Sequence, residues 1–283
     1  MKVAYLLEFG DLKIPDTLAG RAVRHLAAKG INEGRSFVAC ARAGSSWGAL
    51  HHVRAMIELL LSSHHLVCPS KPSKQQKRLK KFEEYPYLRA LMPHLVVEEK
   101  RRLGKTPTER ELERAKLLIP ARIEELQAHE STFNELWGGD ELTSVAAWHH
   151  SAMISNLLQE QQSAPVKLPA GIADHEWDRR YEHMCHATHV SPSAHFLLGM
   201  VQRQVPILGA QQDPVAFHVD IIDLAEAFVG SLARWDLLAP DCHLFGRTRS
   251  EIDSFYGVLK SVSPDLQRAA NEHANTLKPE TAL

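Results

Sequence analysis

The chain has little of what marks a membrane protein or a disulfide-rich protein. No stretch approaches the ~20 apolar residues that a membrane-spanning helix needs, and residues 1–10 lack the layout of a signal peptide because Glu8 interrupts a short apolar run. The cysteines are far apart and form no Cys-x-x-Cys pair, which disfavours a zinc finger or a disulfide framework. We therefore expect a cytoplasmic protein in a reducing environment, without a membrane anchor.

The chain also lacks an excess of charge of either sign. Its 33 Lys and Arg residues nearly balance 34 Asp and Glu residues, for a formal net charge of -1. Any footprint for nucleic acid must then be local. P-loop, Rossmann and Gly-x-Ser-x-Gly patterns are absent, so the sequence does not favour a nucleoside-triphosphatase or a serine hydrolase, and we expect no cofactor.

Alternating β-branched runs are nearly absent, whereas apolar residues recur at helical spacing. The sequence therefore predicts an all-α fold, most simply one helical bundle. Gly30 is expected to end the first helix, and Pro86 and Pro93 are expected to kink or break the helix that contains them. Helices are predicted at about residues 16–29, 33–43, 49–67, 75–95, 96–137, 143–162, 174–190, 214–238, 250–262 and 265–276.

The segment 174–189 is unusually polar for a helix. Five of the 17 histidines fall between residues 175 and 195. Three of them, His183, His186 and His189, are spaced three residues apart, so each is rotated ~60° from the one before it. One helix therefore presents them poorly to a single metal, and a metal site needs further ligands from elsewhere, such as His149 or His150.

The same segment also suits phosphate chemistry. Arg179 and Arg180 precede His186 by seven and six residues. An arginine holds phosphate through a planar, permanently charged group, and a histidine titrates near neutral pH. Together they fit metal-independent cleavage of RNA, in which the 2′-hydroxyl attacks the adjacent phosphate.

Two earlier segments contain further candidate residues. Arg54 and Glu58 are four residues apart beside an apolar stripe, and form either a boundary ion pair or a polar pair facing a cleft. The basic segment 71–81 runs into aromatic residues, and is either a solvated face or a track for an RNA backbone. The candidate RNA-binding residues are Lys77, Arg78, Lys80, Lys81 and Tyr85.

Three segments, in order along the chain, resemble an uncharacterised bacterial family within the HEPN superfamily. Residues 53–60 are similar to its Arg-x-x-x-Glu helix, and residues 78–85 to its Arg-x-x-x-Phe segment with nearby aromatics. Residues 181–189 resemble its Tyr-x-x-Leu-Ser-x-x-x-His segment, with Met184 and Cys185 at the Leu and Ser positions.

This resemblance implies a HEPN-like helical bundle at residues 31–240, with an N-terminal extension at 1–30 and a C-terminal helical extension at 241–283. It implies a metal-independent endoribonuclease that acts as a toxin or phage-defence effector, and a homodimer. An antitoxin or another protein partner is also possible. The residues carried over as catalytic are Arg54, Glu58, Arg180, His186 and His189. The family's own motif favours His189 as the functional histidine, whereas the wider superfamily's motif favours His186.

Two alternatives stay open. The first is a non-catalytic helical sensor or interaction module. The second is a histidine-rich metal-binding bundle that uses His183, His186 or His189.

Overall fold

The computed structural model describes residues 14–43, 45–69, 71–116 and 214–276. Within these ranges the chain is helical and contains no strand, which confirms the predicted all-α fold. The helices are α1 (Leu18–Arg42), α2 (Ser46–Val67), α3 (Pro72–Arg102), α4 (Glu109–Lys116), α5 (Pro214–Leu238), α6 (Leu244–Arg247) and α7 (Arg249–Thr276), with a 3-10 turn at Pro240–Cys242.

The hydrophobic core lies where α1, α2 and α5 pack together. Helix α2 contacts α5 and α1 along much of its length. Val53 and Leu60, which belong to the apolar stripe seen in the sequence, are fully buried, and Trp235 of α5 is buried beside them. The Trp235 ring contacts Phe228 edge-on, with 6.2 Å between ring centroids. Trp235 is therefore a core anchor, as its size suggests.

The prediction that Gly30 ends the first helix is wrong. Helix α1 runs without a break to Arg42, and Gly30 is buried within it. A Cβ atom at this position would lie 2.8 Å from Leu59 Cδ2 and 3.4 Å from the Trp235 ring. The glycine is therefore needed for the close approach of α2 and α5 rather than for a helix stop. The predicted domain boundary between residues 30 and 31 falls inside this helix.

Helix α2 begins at Ser46, three residues before its predicted start, and its end matches the prediction. Ser45 caps its start, with its hydroxyl accepting a hydrogen bond from the Gly48 backbone N–H at 3.4 Å. The helix ends at Val67, directly before Cys68 and Pro69, as the proline predicted.

Helix α3 does not break at its two prolines. It continues from residue 72 to residue 102 with Pro86 and Pro93 inside it. Contacts before Pro86 hold this helix against α1: Arg21 pairs with Glu83, and His25 meets Phe82 edge-on with 5.8 Å between centroids. Tertiary contacts thus offset the loss of helical hydrogen bonds that each proline causes.

Helices α3 and α4 are joined by a short turn and an ion pair. Gly104 adopts a left-handed conformation, with φ of 67°. Thr108 and Glu111 then form a capping box, two residues after the Thr106–Glu109 signal in the sequence: the Thr108 N–H donates to the Glu111 carboxylate at 2.8 Å and the Glu111 N–H donates to the Thr108 hydroxyl at 3.3 Å. Lys100 Nζ lies 2.6 and 2.7 Å from the two Glu111 carboxylate oxygens, which fixes α4 against α3.

The C-terminal helices pack on α5. The Asp236 carboxylate accepts hydrogen bonds from the backbone N–H groups of Leu244 and Phe245, and so caps α6. The sequence predicted two helices after residue 249, but α7 is continuous through Pro264. No helix in the described ranges has the length and apolar character needed to cross a membrane.

Candidate functional site

Arg54 and Glu58 form a direct ion pair on α2. Arg54 Nε donates to Glu58 Oε1 at 2.8 Å, and the side chains are 15% and 23% exposed. Both residues are rotated roughly 100–160° around α2 from the buried Val53 and Leu60. The pair therefore holds a guanidinium in a fixed, partly desolvated position beside the core, where its interaction with an anion is stronger than in water.

His65 lies on the same side of α2, seven residues after Glu58, or ~10 Å further along the axis. It is 5% exposed. Burial, followed by the nearby Arg78 and His64 and then by Lys81, lowers the pKa of His65 to about 3. The ring is therefore neutral at physiological pH.

Arg78 connects α3 to this end of α2. Its guanidinium donates to the His65 backbone carbonyl at 2.8 Å, and so satisfies one of the carbonyls at the C-terminal end of the helix. Arg78 and Lys81 of α3 thus lie near His65, while Arg54 and Glu58 lie ~10–16 Å nearer the start of α2 on the same side of that helix. We name this group of five residues the α2–α3 polar face.

Sequence reasoning missed His65. Its signal was the adjacent pair His64-His65 near the end of an apolar helix, and such neighbours point ~100° apart. His64 turns toward α5 and His65 toward α3, so only the packing of three helices distinguishes them.

The five predicted RNA-binding residues do not share one surface. Lys77 is exposed, whereas Arg78, Lys80 and Lys81 are half-buried. Arg78 and Lys80 are two residues apart and therefore point ~160° away from each other around α3. Of the lysines, Lys81 is the one that adds to the α2–α3 polar face.

Tyr85 is 4% exposed and is not an open stacking platform. Its hydroxyl accepts a hydrogen bond from Arg89 at 3.2 Å, and the residue lines a cavity between α3 and α4. An RNA nucleobase can reach this ring only by entering the cavity, because the ring does not form a flat, exposed surface for stacking.

The remaining predicted catalytic residues, Arg180, His186 and His189, lie outside the described ranges, as do His149, His150 and His183 of the metal alternative. Among the residues that are described, no three or more His, Cys, Asp or Glu side chains cluster in a way that would hold a metal.

A His–carboxylate contact joins α1 to α2. His52 Nδ1 lies 2.7 Å from Glu33 Oε2, and the side chains are 18% and 21% exposed. The two residues are 19 positions apart, so no local spacing in the sequence could predict the contact. The Glu33 carboxylate is close enough to orient the imidazole ring, as a carboxylate does for many catalytic histidines.

The third polar group is buried between α2 and α5. Arg234 is 2% exposed, and its Nε donates to His64 Nδ1 at 3.0 Å, while its Nη1 donates to the Gly230 carbonyl at 2.6 Å. Trp235 Nε1 donates to the Ser63 hydroxyl at 2.9 Å. Burial lowers the pKa of Arg234 to about 10, and burial together with the Arg234 charge lowers the pKa of His64 to about 4. These hydrogen bonds pair buried polar atoms across the contact between α2 and α5 and so set the register of the two helices.

No protein-family model, no curated protein and no solved structure matches this chain.

Proposed function

We propose that the protein is a metal-independent endoribonuclease of the HEPN type, acting as a toxin or phage-defence effector. The observation that carries the proposal is the Arg54–Glu58 pair, held at 2.8 Å on a partly exposed side of α2. Its context supports an anionic substrate, because Arg78 and Lys81 of the same α2–α3 polar face add positive charge.

In the proposed reaction, Arg54 binds the nonbridging oxygens of the scissile phosphate and stabilises the charge that they gain in the transition state. Glu58 orients Arg54 through the Nε contact. A histidine, His186 or His189, accepts the proton of the attacking 2′-hydroxyl, and a proton is returned to the departing 5′-oxygen. The products are a 2′,3′-cyclic phosphate and a 5′-hydroxyl.

His65 is unsuited to the role of base. A histidine with a pKa of about 3 is neutral at pH 7 but takes up a proton very weakly. The proposal therefore assigns the base to His186 or His189, the two histidines that the family resemblance implies.

The experiment is cleavage of single-stranded RNA by the purified full chain in the presence of a chelator. We expect Arg54→Gln to lower the rate by about 100-fold, the usual loss when one donor to a developing oxyanion is removed. Glu58→Gln, which keeps the shape of the side chain but weakens its hold on Arg54, is expected to cost about tenfold, since it acts only through the orientation of Arg54.

Arg42→Gln is the matched control, because Arg42 is an exposed arginine at the end of α1, away from the α2–α3 polar face. The single variants His186→Ala and His189→Ala identify the base. Circular dichroism reports whether each variant remains helical. The proposal fails if wild-type protein leaves RNA intact, or if Arg54→Gln and the double histidine variant cut as fast as Arg42→Gln.

One observation favours the second candidate, a non-catalytic helical interaction module. The Arg78 guanidinium binds the end of α2, which is a structural use of that residue. This candidate predicts that the chain binds its partner equally well after loss of Arg54 or of both histidines. Under it, RNA is not cut at any protein concentration.

A further inference from the structure

A cavity of about 410 Å³ lies between α3 and α4, some distance along α3 from the α2–α3 polar face. Its α3 wall is formed by Tyr85, Arg89, Met92, Pro93 and Val96. Helix α4 contributes Glu111 and Arg114. Sites for small molecules generally enclose about 300–1,000 Å³, so this volume suits a compact ligand.

The charged residues of the cavity favour an anion. Glu111 is its one carboxylate among the described lining residues, and Lys100 binds both of its oxygens. That contact and the Thr108 backbone N–H lower the pKa of Glu111 to about 2, so the carboxylate is ionised but already neutralised by Lys100. Its charge is therefore not available to cancel that of Arg89 and Arg114.

Both arginines remain available to a ligand. Arg89 is exposed, and it donates a hydrogen bond to the uncharged Tyr85 hydroxyl at 3.2 Å. Arg114 is also exposed, and within the described part of the chain it makes no ion pair. A guanidinium presents parallel N–H groups that match the two oxygens of a carboxylate or phosphate.

The other described residues that line the cavity are mainly apolar. Met92, Pro93 and Val96 provide aliphatic surface on α3, and Tyr85 adds an aromatic ring with a buried hydroxyl. A ligand that only had charge would leave this surface in contact with water, whereas one with an apolar body would bury it. The shape and lining thus combine an apolar floor with a positive rim.

We propose that this cavity binds a small organic anion, whose compact apolar body lies against Met92, Pro93 and Val96 and whose carboxylate or phosphate group meets Arg89 and Arg114. This proposal is independent of RNA cleavage, because it involves neither Arg54 nor the histidines of the 174–189 segment.

The test is isothermal titration calorimetry, which measures the binding of four small probes to the full chain. Benzoate and phenyl phosphate carry both halves of the proposed ligand and differ in the anionic group, so they distinguish a carboxylate from a phosphate. Benzyl alcohol supplies the apolar body alone, and inorganic phosphate supplies the charge alone. We expect saturable binding of at least one of the complete probes and much weaker binding of both partial ones.

Three variants locate the site. Arg89→Gln and Arg114→Gln are each expected to raise the Kd about tenfold, because each removes one charged donor. Val96→Phe fills the cavity and is expected to have a similar effect without changing the charge. Arg110→Gln, an exposed arginine on the same α4 helix that does not line the cavity, is the control and should bind like wild type.

The proposal is overturned if neither benzoate nor phenyl phosphate binds saturably at millimolar concentration. It is also overturned if Arg89→Gln, Arg114→Gln and Val96→Phe all bind like Arg110→Gln, or if benzyl alcohol binds as tightly as the complete probes. The outcome of these binding experiments does not depend on whether the protein cleaves RNA, so the two proposals are tested separately.

Discussion

A buried arginine that donates to a neutral histidine is an uncommon contact, and it determines the chemistry of His64. Arg234 Nε is a donor at any physiological pH, so His64 Nδ1, 3.0 Å away, must be an acceptor. The proton of the neutral imidazole then lies on Nε2. Burial, and then the positive charge of Arg234, lower the pKa of His64 to about 4. A second proton on Nδ1 would also place two donors against each other.

This arrangement predicts the tautomer of His64 and the change in its pKa when the charge of Arg234 is removed. Nitrogen-15 NMR of the wild-type protein at pH 7 should show His64 as the Nε2–H tautomer. In Arg234→Met, the Coulombic contribution disappears but the burial remains, so the pKa of His64 should rise yet stay below 6.5. An Nδ1–H tautomer in the wild type, or an unchanged titration in Arg234→Met, would contradict the hydrogen bond as described.

At the scale of the helix, two glycines of α1 have opposite roles although both are in its interior. A Cβ at Gly30 would meet Leu59 at 2.8 Å and Trp235 at 3.4 Å, whereas a Cβ at Gly34 would find only Met56 Cε at 4.0 Å. Gly30 therefore permits helix packing, and Gly34 only weakens the helix.

The predicted outcome is a pair of opposite changes in the free energy of unfolding, measured by urea denaturation. Gly34→Ala should stabilise the protein by about 0.5–1 kcal/mol, because alanine restricts the unfolded chain and favours the helix. Gly30→Val should destabilise it by about 1–3 kcal/mol through overpacking. Equal effects at the two positions would show that α2 and α5 do not approach α1 as closely as these distances indicate.

The same two glycines show how far sequence alone can predict this fold. Helical periodicity predicted the all-α class and a proline placed the end of α2, because both signals depend on neighbours along the chain. The continuity of α1 through Gly30 and of α3 through Pro86 depends on contacts between helices. A glycine that ends a helix and one that packs under another helix look alike in sequence.

In the candidate site, too, contacts within one helix could be predicted from the sequence, whereas contacts between helices could not. The Arg54–Glu58 contact follows from spacing on one helix, and the structure forms it at 2.8 Å. Other features of the site depend on contacts between helices. His52 of α2 contacts Glu33 of α1, and Arg78 of α3 donates to the His65 carbonyl of α2. No periodic pattern contains that information, so these features appear only once the helices are packed.

For the molecule as a whole, His64 and His65 make stability depend on pH. Both have folded-state pKa values well below the 6.5 of an unperturbed histidine, about 4 and about 3, because they are buried and face Arg234, Arg78 and Lys81. Below pH 6.5 the unfolded chain takes up protons that the folded chain does not. Stability is therefore complete above pH 6.5 and is lost as the pH falls toward 4.

Each of these histidines should lower the free energy of unfolding by about 1.4 kcal/mol per pH unit within that window. His25, whose pKa is lowered by burial and by Lys29, acts in the same direction. The lowered pKa of Glu111 acts only below its unperturbed value of 4.5, so urea titrations between pH 7.5 and 5 isolate the histidines. His64→Gln, which still offers Arg234 an acceptor, should remove about half of the slope contributed by the two buried histidines. The exposed His51→Gln should retain all of it. If His64→Gln keeps the full slope, the acid sensitivity arises elsewhere, and His64 is not buried as a neutral ring between α2 and α5.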